Sequence, residues 1–165
     1  MNFTRIAIVL LLGFFVFVAA CGLFGRKDRK IVGAAGRGDT AQVERLIEKG
    51  VDVNTTMTVE HAGQTIEGVT ALHVAAEQGH VDIVKLLIEN GADLDAGVTS
   101  GQAPGATALH MAAEQNRIEA ARILIENGAD LNAAITAGPI AGATPLDFAR
   151  HQGHGQMIEL LTGQQ

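Results

Sequence analysis

Aligned on itself, the chain repeats at an offset of 37 residues. Thr70, Thr107 and Thr144 each open a copy, and Leu72, Leu109 and Leu146 follow in register, as do Ala75, Ala112 and Ala149. Gly79, Asn116 and Gly153 then share one position, and Gly91 and Gly128 close the first two copies. Such a repeat narrows the fold sharply, because one short unit cannot bury its own apolar face and is stable only when stacked on its neighbours. In the copy that opens at Thr70, apolar residues fall at Leu72, Val74, Ala75 and Ala76, and again at Ile83, Val84, Leu86, Leu87 and Ile88. That spacing predicts two short amphipathic helices. Gly79 separates them, and Gly91 sits where a left-handed helix C-cap is expected. Asn116 is acceptable at the matching break because Asn also visits the left-handed region.

Thr70-Ala71-Leu72-His73, Ala75-Ala76, Gly79-His80 and Gly91-Ala92-Asp93-Leu94 closely resemble the ankyrin repeat, whose opening is T-P-L-H. The next copy keeps Thr107-Ala108-Leu109-His110, Ala112-Ala113 and Gly128-Ala129-Asp130-Leu131-Asn132, and the last opens with Thr144-Pro145-Leu146-Asp147. A degenerate first copy retains Ile31, Ala34-Ala35, Gly38-Asp39, Val43, Leu46-Ile47 and Gly50-Val51-Asp52-Val53-Asn54. The resemblance implies an all-α ankyrin solenoid over residues 31–162, with four helix-turn-helix repeats at about 31–68, 69–105, 106–142 and 143–162. It also implies a protein partner, and a hydrogen-bond network in which His73 and His110 join the Thr hydroxyls.

The offset exceeds the family's usual period of about 33 residues, and the excess lies between the closing Asp and the next Thr. These intervals, the fingers, are therefore lengthened; Gly50 to Thr70 spans 20 positions and Gly91 to Thr107 spans 16. In the first finger, β-branched residues from Thr55 to Val59 and from Gln64 to Ile66 flank a turn at Glu60-His61-Ala62-Gly63, as a β-hairpin requires. The other two align Val98 with Ile135 and Ala103 with Ile140, without charge. Apolar residues at projecting tips mark an interface, so Met57, Val59, His61, Val98, Ile135 and Ile140 are expected partner contacts. The other reading is that the extra residues pair with one another into a short finger sheet. Glu77 and Glu114 should line the inner helical face, either as a solvated row or as further partner contacts.

Residues 6–25 carry no charge, unlike the remainder of the chain. The segment starts at Arg5, continues through an apolar run and closes with Val18-Ala19-Ala20-Cys21, the pattern of a secretory signal over residues 1–20. Val18-Ala19-Ala20-Cys21 resembles the lipobox of bacterial lipoproteins, which implies lipidation of Cys21, the sole Cys. Buried acyl chains, at about 0.8 kcal/mol per CH2, would hold the mature chain on a membrane. Gly22 resembles the residue that follows the Cys in lipoproteins sorted to the outer membrane, so the implied location is its periplasmic face. An uncleaved inner-membrane anchor is the other reading, since about 20 uncharged residues span a bilayer core and the bases flanking the run at Arg26, Lys27, Arg29 and Lys30 favour a cytoplasmic domain. Residues 21–30 are then a lipidated or membrane-proximal basic linker.

Beyond Lys30 seven bases face seventeen acids, a net charge of −10. With no Trp or Tyr either, the chain lacks the basic footprint and stacking surface of a nucleic-acid binder. One Cys excludes an internal disulfide framework or a multi-thiolate metal site, and Ser100 is the only serine, so no catalytic constellation emerges. His80 and His154 belong to the Gly-His turns, while His151 and His154 lack a third ligand at metal spacing. No enzyme activity and no cofactor are expected. The functional expectation is a membrane-anchored protein-binding module, an inhibitor or accessory of another envelope or secreted protein, with a structural spacer as the competing role.

Overall fold

The computed structural model describes residues 29–61 and 64–163, with the backbone alone at positions 29, 61 and 64. The leader, Cys21 and most of the basic linker lie outside the described residues, as does the His61 side chain. Among the described residues eight helices form four antiparallel pairs: α1 (Arg29–Arg37) and α2 (Thr40–Glu48), α3 (Ala71–Gln78) and α4 (Val81–Glu89), α5 (Ala108–Glu114) and α6 (Ile118–Glu126), and α7 (Pro145–Gln152) and α8 (Gly155–Thr162). The first helices of the pairs pack in one row, α1 on α3 on α5 on α7, and the second helices in another. Between the rows lies one continuous core. Leu72, Leu87, Leu109 and Leu124 are essentially inaccessible there, alongside the small Ala34, Ala75, Ala112 and Ala149 that let the first helices approach closely.

Local chemistry terminates each helix where the sequence indicates. Thr70, Thr107 and Thr144 sit in extended backbone as N-caps, each within a reciprocal capping box. Asn116 adopts φ 54° at the break between α5 and α6, matching the left-handed glycines of the other turns. Its side chain accepts a conformation that most residues avoid, so the helix pair is preserved without Gly.

The capping boxes also tie successive repeats together. Thr70 N–H donates to His73 Nδ1 at 3.2 Å, which leaves Nε2–H to donate to the Ala106 carbonyl of the following finger at 3.0 Å. Thr107 and His110 reproduce the arrangement with Ala143. Burial pushes both imidazoles down, His110 to about 4, so they serve as neutral hydrogen-bond relays. At the last opening, Asp147 takes the histidine's place and accepts from Thr144 N–H and Oγ1 at 3.0 and 2.8 Å. A carboxylate has no N–H to pass outward, so this cap stays within its own repeat. The Gly-His turns make a second tie: His80, Arg117 and His154 each donate to a carbonyl of the preceding repeat, at Gly36, Glu77 and Glu114.

The fingers depart in part from the sequence reading. Only the first forms a ladder, β1 (Met57–His61) against β2 (Gln64–Val69), with a bulge near Met57. Pairing continues through Glu60↔Thr65 and His61↔Gln64, so residues assigned to the turn belong to the strands. The second and third fingers close with paired hydrogen bonds, Val98 with Ala106 and Gly105, and Ile135 with Ala143 and Gly142. All three then join sideways. Thr99 N–H donates to the Glu67 carbonyl at 2.8 Å, and Thr136 N–H to the Pro104 carbonyl at 2.7 Å. Ser100 Oγ reinforces the first junction, accepting from Glu67 N–H and donating to the Thr65 carbonyl. Such contact requires glycine at Gly105, where φ is +90° and a Cβ would stand 2.9 Å from the Thr136 methyl.

Candidate functional site

Sideways pairing changes what the finger side chains do. Met57, Val59, Val98, Ile135 and Ile140 are all buried, between 2% and 7% exposed, which corrects the expectation of apolar tips open to a partner. The reason lies in the strand alternation. Along β1, Met57 and Val59 face inward while Thr58 and Glu60 face water, and the same period of two was available in the sequence. The fingers expose a polar row of Thr58, Glu60, Thr65, Glu67, Thr99 and Thr136, beside Ala134, Ala137 and Pro139 of the third finger. A partner at this surface meets hydroxyls and two carboxylates, with aliphatic side chains as a floor beneath them.

Glu77 and Glu114 are also displaced from expectation, because neither is a solvated residue of the inner helical face. They stand in the last turns of α3 and α5, 7% and 8% exposed, roofed by the fingers. The structure brings both to one pocket, whose walls are Ile66, Val69, Val98, Ala103, Ala106 and Met111, with His73, Ser100 and Gln102 completing it. Of the expected partner contacts, Val98 shares this pocket; Met57, Val59, Ile135 and Ile140 do not line it. The pocket holds about 50 Å³, room for the end of one side chain.

Electrostatics make this the most unusual place in the described structure. Burial raises the Glu77 carboxyl to about 8, aided by the neighbouring Glu114 and opposed by Gln78 and Arg117. Burial alone raises Glu114 to about 7. The last turn of a helix is also the negative end of its dipole, so neither site rewards an anion. Glu77 Oε2 is buried and has no hydrogen-bond partner, which leaves a strong acceptor unused in an apolar setting. The sequence signal for the pair was their identical register 37 residues apart; their burial depends on a finger roof that register alone does not reveal.

Other sequence candidates have structural employment. Ser100 is engaged at the finger junction, and His110 stacks edge-on against Phe148 with ring centroids 5.3 Å apart. His151, in register with the two glutamates, is exposed near the far end of the stack beside Asp147, apart from their pocket. Among the described residues no group of three or more His, Cys, Asp or Glu is placed to hold a metal ion, and no helix is long and apolar enough to cross a membrane.

Comparison with known proteins accords with this architecture. A family model described as ankyrin repeats (3 copies) matches residues 31–135, and a second, ankyrin repeats (many copies), matches residues 109–162. The chain is 37% identical over 71 residues to ankyrin repeat domain-containing protein 40 of Mus musculus, covering 43% of this chain and 18% of that protein. It is 38% identical over 77 residues to the 2-5A-dependent ribonuclease of Mus musculus, covering 47% of this chain and 10% of the ribonuclease. Inversin of Gallus gallus is 41% identical over 63 residues, 38% of this chain and 5% of inversin. The chain thus spans less than a fifth of the length of these relatives, and the likeness is one of repeats. With stacked helix pairs, threonine capping boxes and both family models in agreement, the chain belongs to the ankyrin-repeat family and is a protein-protein interaction module.

Proposed function

We propose that this module is held at a bacterial envelope through lipid on Cys21 and grips another envelope or secreted protein along the groove between its first helices and its fingers. The observation that carries the docking site is the pocket at Glu77 and Glu114, where a buried carboxyl oxygen without a hydrogen-bond partner stands among the half-buried side chains of Ile66, Ser100, Gln102 and Met111. Support for the anchor comes from Val18-Ala19-Ala20-Cys21, the sole Cys, and the bases that follow it. A lipid at Cys21 places a linker with net charge +3 over residues 26–30 on headgroups, while the acidic repeat domain is held off an anionic surface. Gly22 favours the periplasmic face of the outer membrane as its location.

Within this reading the module serves as an inhibitor, an immunity protein or an accessory of its partner. Pull-down from detergent-solubilised envelopes tests it, comparing the native chain with a variant carrying Thr58→Arg, Glu67→Arg and Thr99→Arg. These positions are exposed on the finger row, so the variant should fold normally and lose the partner. Retention of the same partner by the variant would move the interface off the fingers, and absence of any partner retained by the native chain would favour a spacer. Cys21→Ser, expected to release the chain or leave an unprocessed precursor, tests the anchor by mass spectrometry. A membrane-bound chain with Met1 present and Cys21 unmodified would instead be the uncleaved inner-membrane form.

A further inference from the structure

An apolar pocket containing two carboxyl groups invites a specific kind of guest. Its walls are aliphatic or thioether side chains from both fingers and from α5, and its volume admits only the terminal atoms of a side chain. Glu77 is 93% buried and its Oε2 accepts no hydrogen bond. A buried acceptor left unmade costs about 1 to 3 kcal/mol, which a donor arriving with a ligand would recover. A guest that donates to this oxygen, small at its tip and apolar along its shaft, therefore suits the pocket.

We propose that the pocket receives one primary ammonium group, the end of a lysine side chain presented by the protein partner, with its methylenes against Ile66, Val69, Val98, Ala103 and Met111 and its N–H groups directed to Glu77 and Glu114. The proposal rests on the protein-docking reading above and names the residue that reading requires at the centre of the interface. Lysine fits better than arginine. An ammonium brings three donors to two carboxyl groups, whereas a guanidinium brings five in a rigid planar fork, several of which would face aliphatic walls. A metal ion is poorly served, because two carboxyl groups lack the third ligand that a stable site needs. The charge of the repeat domain also favours a cation from a distance, with seventeen acids against seven bases beyond Lys30.

The groups facing the carboxyls are few. His73 shares the pocket from α3, Glu114 comes from α5, and Arg117, at the turn into α6, acts on Glu77 while its Nε–H donates to the Glu77 backbone carbonyl at 2.9 Å. Since burial raises both carboxyls, the empty pocket holds protons near neutral pH. Entry of the ammonium ionises one of them: its O–H bond breaks, its proton passes to solvent, and the carboxylate left behind accepts from the ammonium, as does the carbonyl oxygen of the carboxyl that keeps its proton. Lysine binding is accordingly coupled to proton release.

The test uses the full chain in detergent micelles with three soluble probes: N-acetyl-lysine methylamide, its arginine counterpart, and the uncharged norleucine counterpart. Methyl resonances of Met111 and Ile66 report occupancy. The lysine probe should give saturable shifts, with at least about tenfold weaker binding for the other two probes and for the Glu77→Gln protein. Calorimetry in two buffers of different ionisation enthalpy should show protons released on binding at pH 7.5. Equal shifts with norleucine, unchanged lysine affinity in both Glu77→Gln and Glu114→Gln, or no saturable shift with lysine would each overturn the proposal. The docking reading is judged separately by the pull-down: a partner captured through the finger row while the lysine probe fails leaves that reading standing without the ammonium pocket, and lysine binding without any partner does the reverse.

Discussion

Replacing Glu77 with Gln should make the protein more resistant to alkaline pH, by an amount that follows from the pocket. The Glu77 carboxyl titrates at 4.5 when unperturbed and at about 8 in the fold, because burial disfavours its anion. Between those values the native chain keeps a proton that the unfolded chain has released. Stability therefore falls as pH rises through this window, by on the order of 3 to 5 kcal/mol once the window is crossed. Glu114, raised to about 7, acts in the same direction. His110 opposes them at lower pH: held near 4 against an ordinary 6.5, it makes stability rise between those values, and His73 has the same sign. The two effects offset one another from about pH 4.5 to 6.5, and above that only the carboxyls remain. Thermal unfolding of the full chain followed by circular dichroism should show a melting temperature that drops by about 10 °C or more from pH 6 to 9, taking roughly 4 °C per kcal/mol for a domain of this size. Glu77→Gln stays uncharged throughout, so it should remove about half of that drop or more, and at pH 6, already above the unfolded carboxyl's 4.5, it should be more stable than the native chain by about 2 kcal/mol. Parallel declines in the two proteins would refute the assignment of the alkaline loss to this buried carboxyl.

Three further outcomes test the packing. Leu87→Ala and Leu124→Ala, at fully buried equivalent positions of α4 and α6, should each cost about 2 to 5 kcal/mol by urea unfolding, and because neighbouring repeats share stability the whole domain should respond. Met57→Asp and Ile135→Asp, harmless on an exposed tip, should instead lower the melting temperature by several degrees because both side chains are buried; Thr58→Asp, on the exposed face, should stay within about 0.5 kcal/mol of the native protein. Gly105→Ala should destabilise by more than Gly91→Ala in the same assay, since both have positive φ but only the first meets a neighbouring finger at 2.9 Å.

Much of this protein was legible as text. The 37-residue register located the helix pairs, because helix breaks, capping residues and apolar periodicity are local properties that each copy repeats. Asn116 was readable as a left-handed turn residue and His73 as a partner of Thr70 for the same reason: the geometry that uses them lies within a few residues. The fingers were legible only in part. Their length and the strand pairing of the first are apparent, yet Met57, Val59, Val98, Ile135 and Ile140, expected at exposed tips, are buried, as the alternating polarity of the first finger already implies for Met57 and Val59.

The sequence by itself determined the repeat, its helix pairs and the family, since these follow from short-range stereochemistry and from the need of each unit to be covered by the next. Tertiary structure alone decided which way the finger side chains face and what becomes of the two glutamates. Sideways hydrogen bonds from Thr99 to Glu67 and from Thr136 to Pro104 join the fingers into one roof, and that roof takes Glu77 and Glu114 out of water. A carboxylate on a helix is an ordinary solvated charge until another segment, more than twenty residues away from one of the pair, displaces its hydration, and no local pattern carries that information.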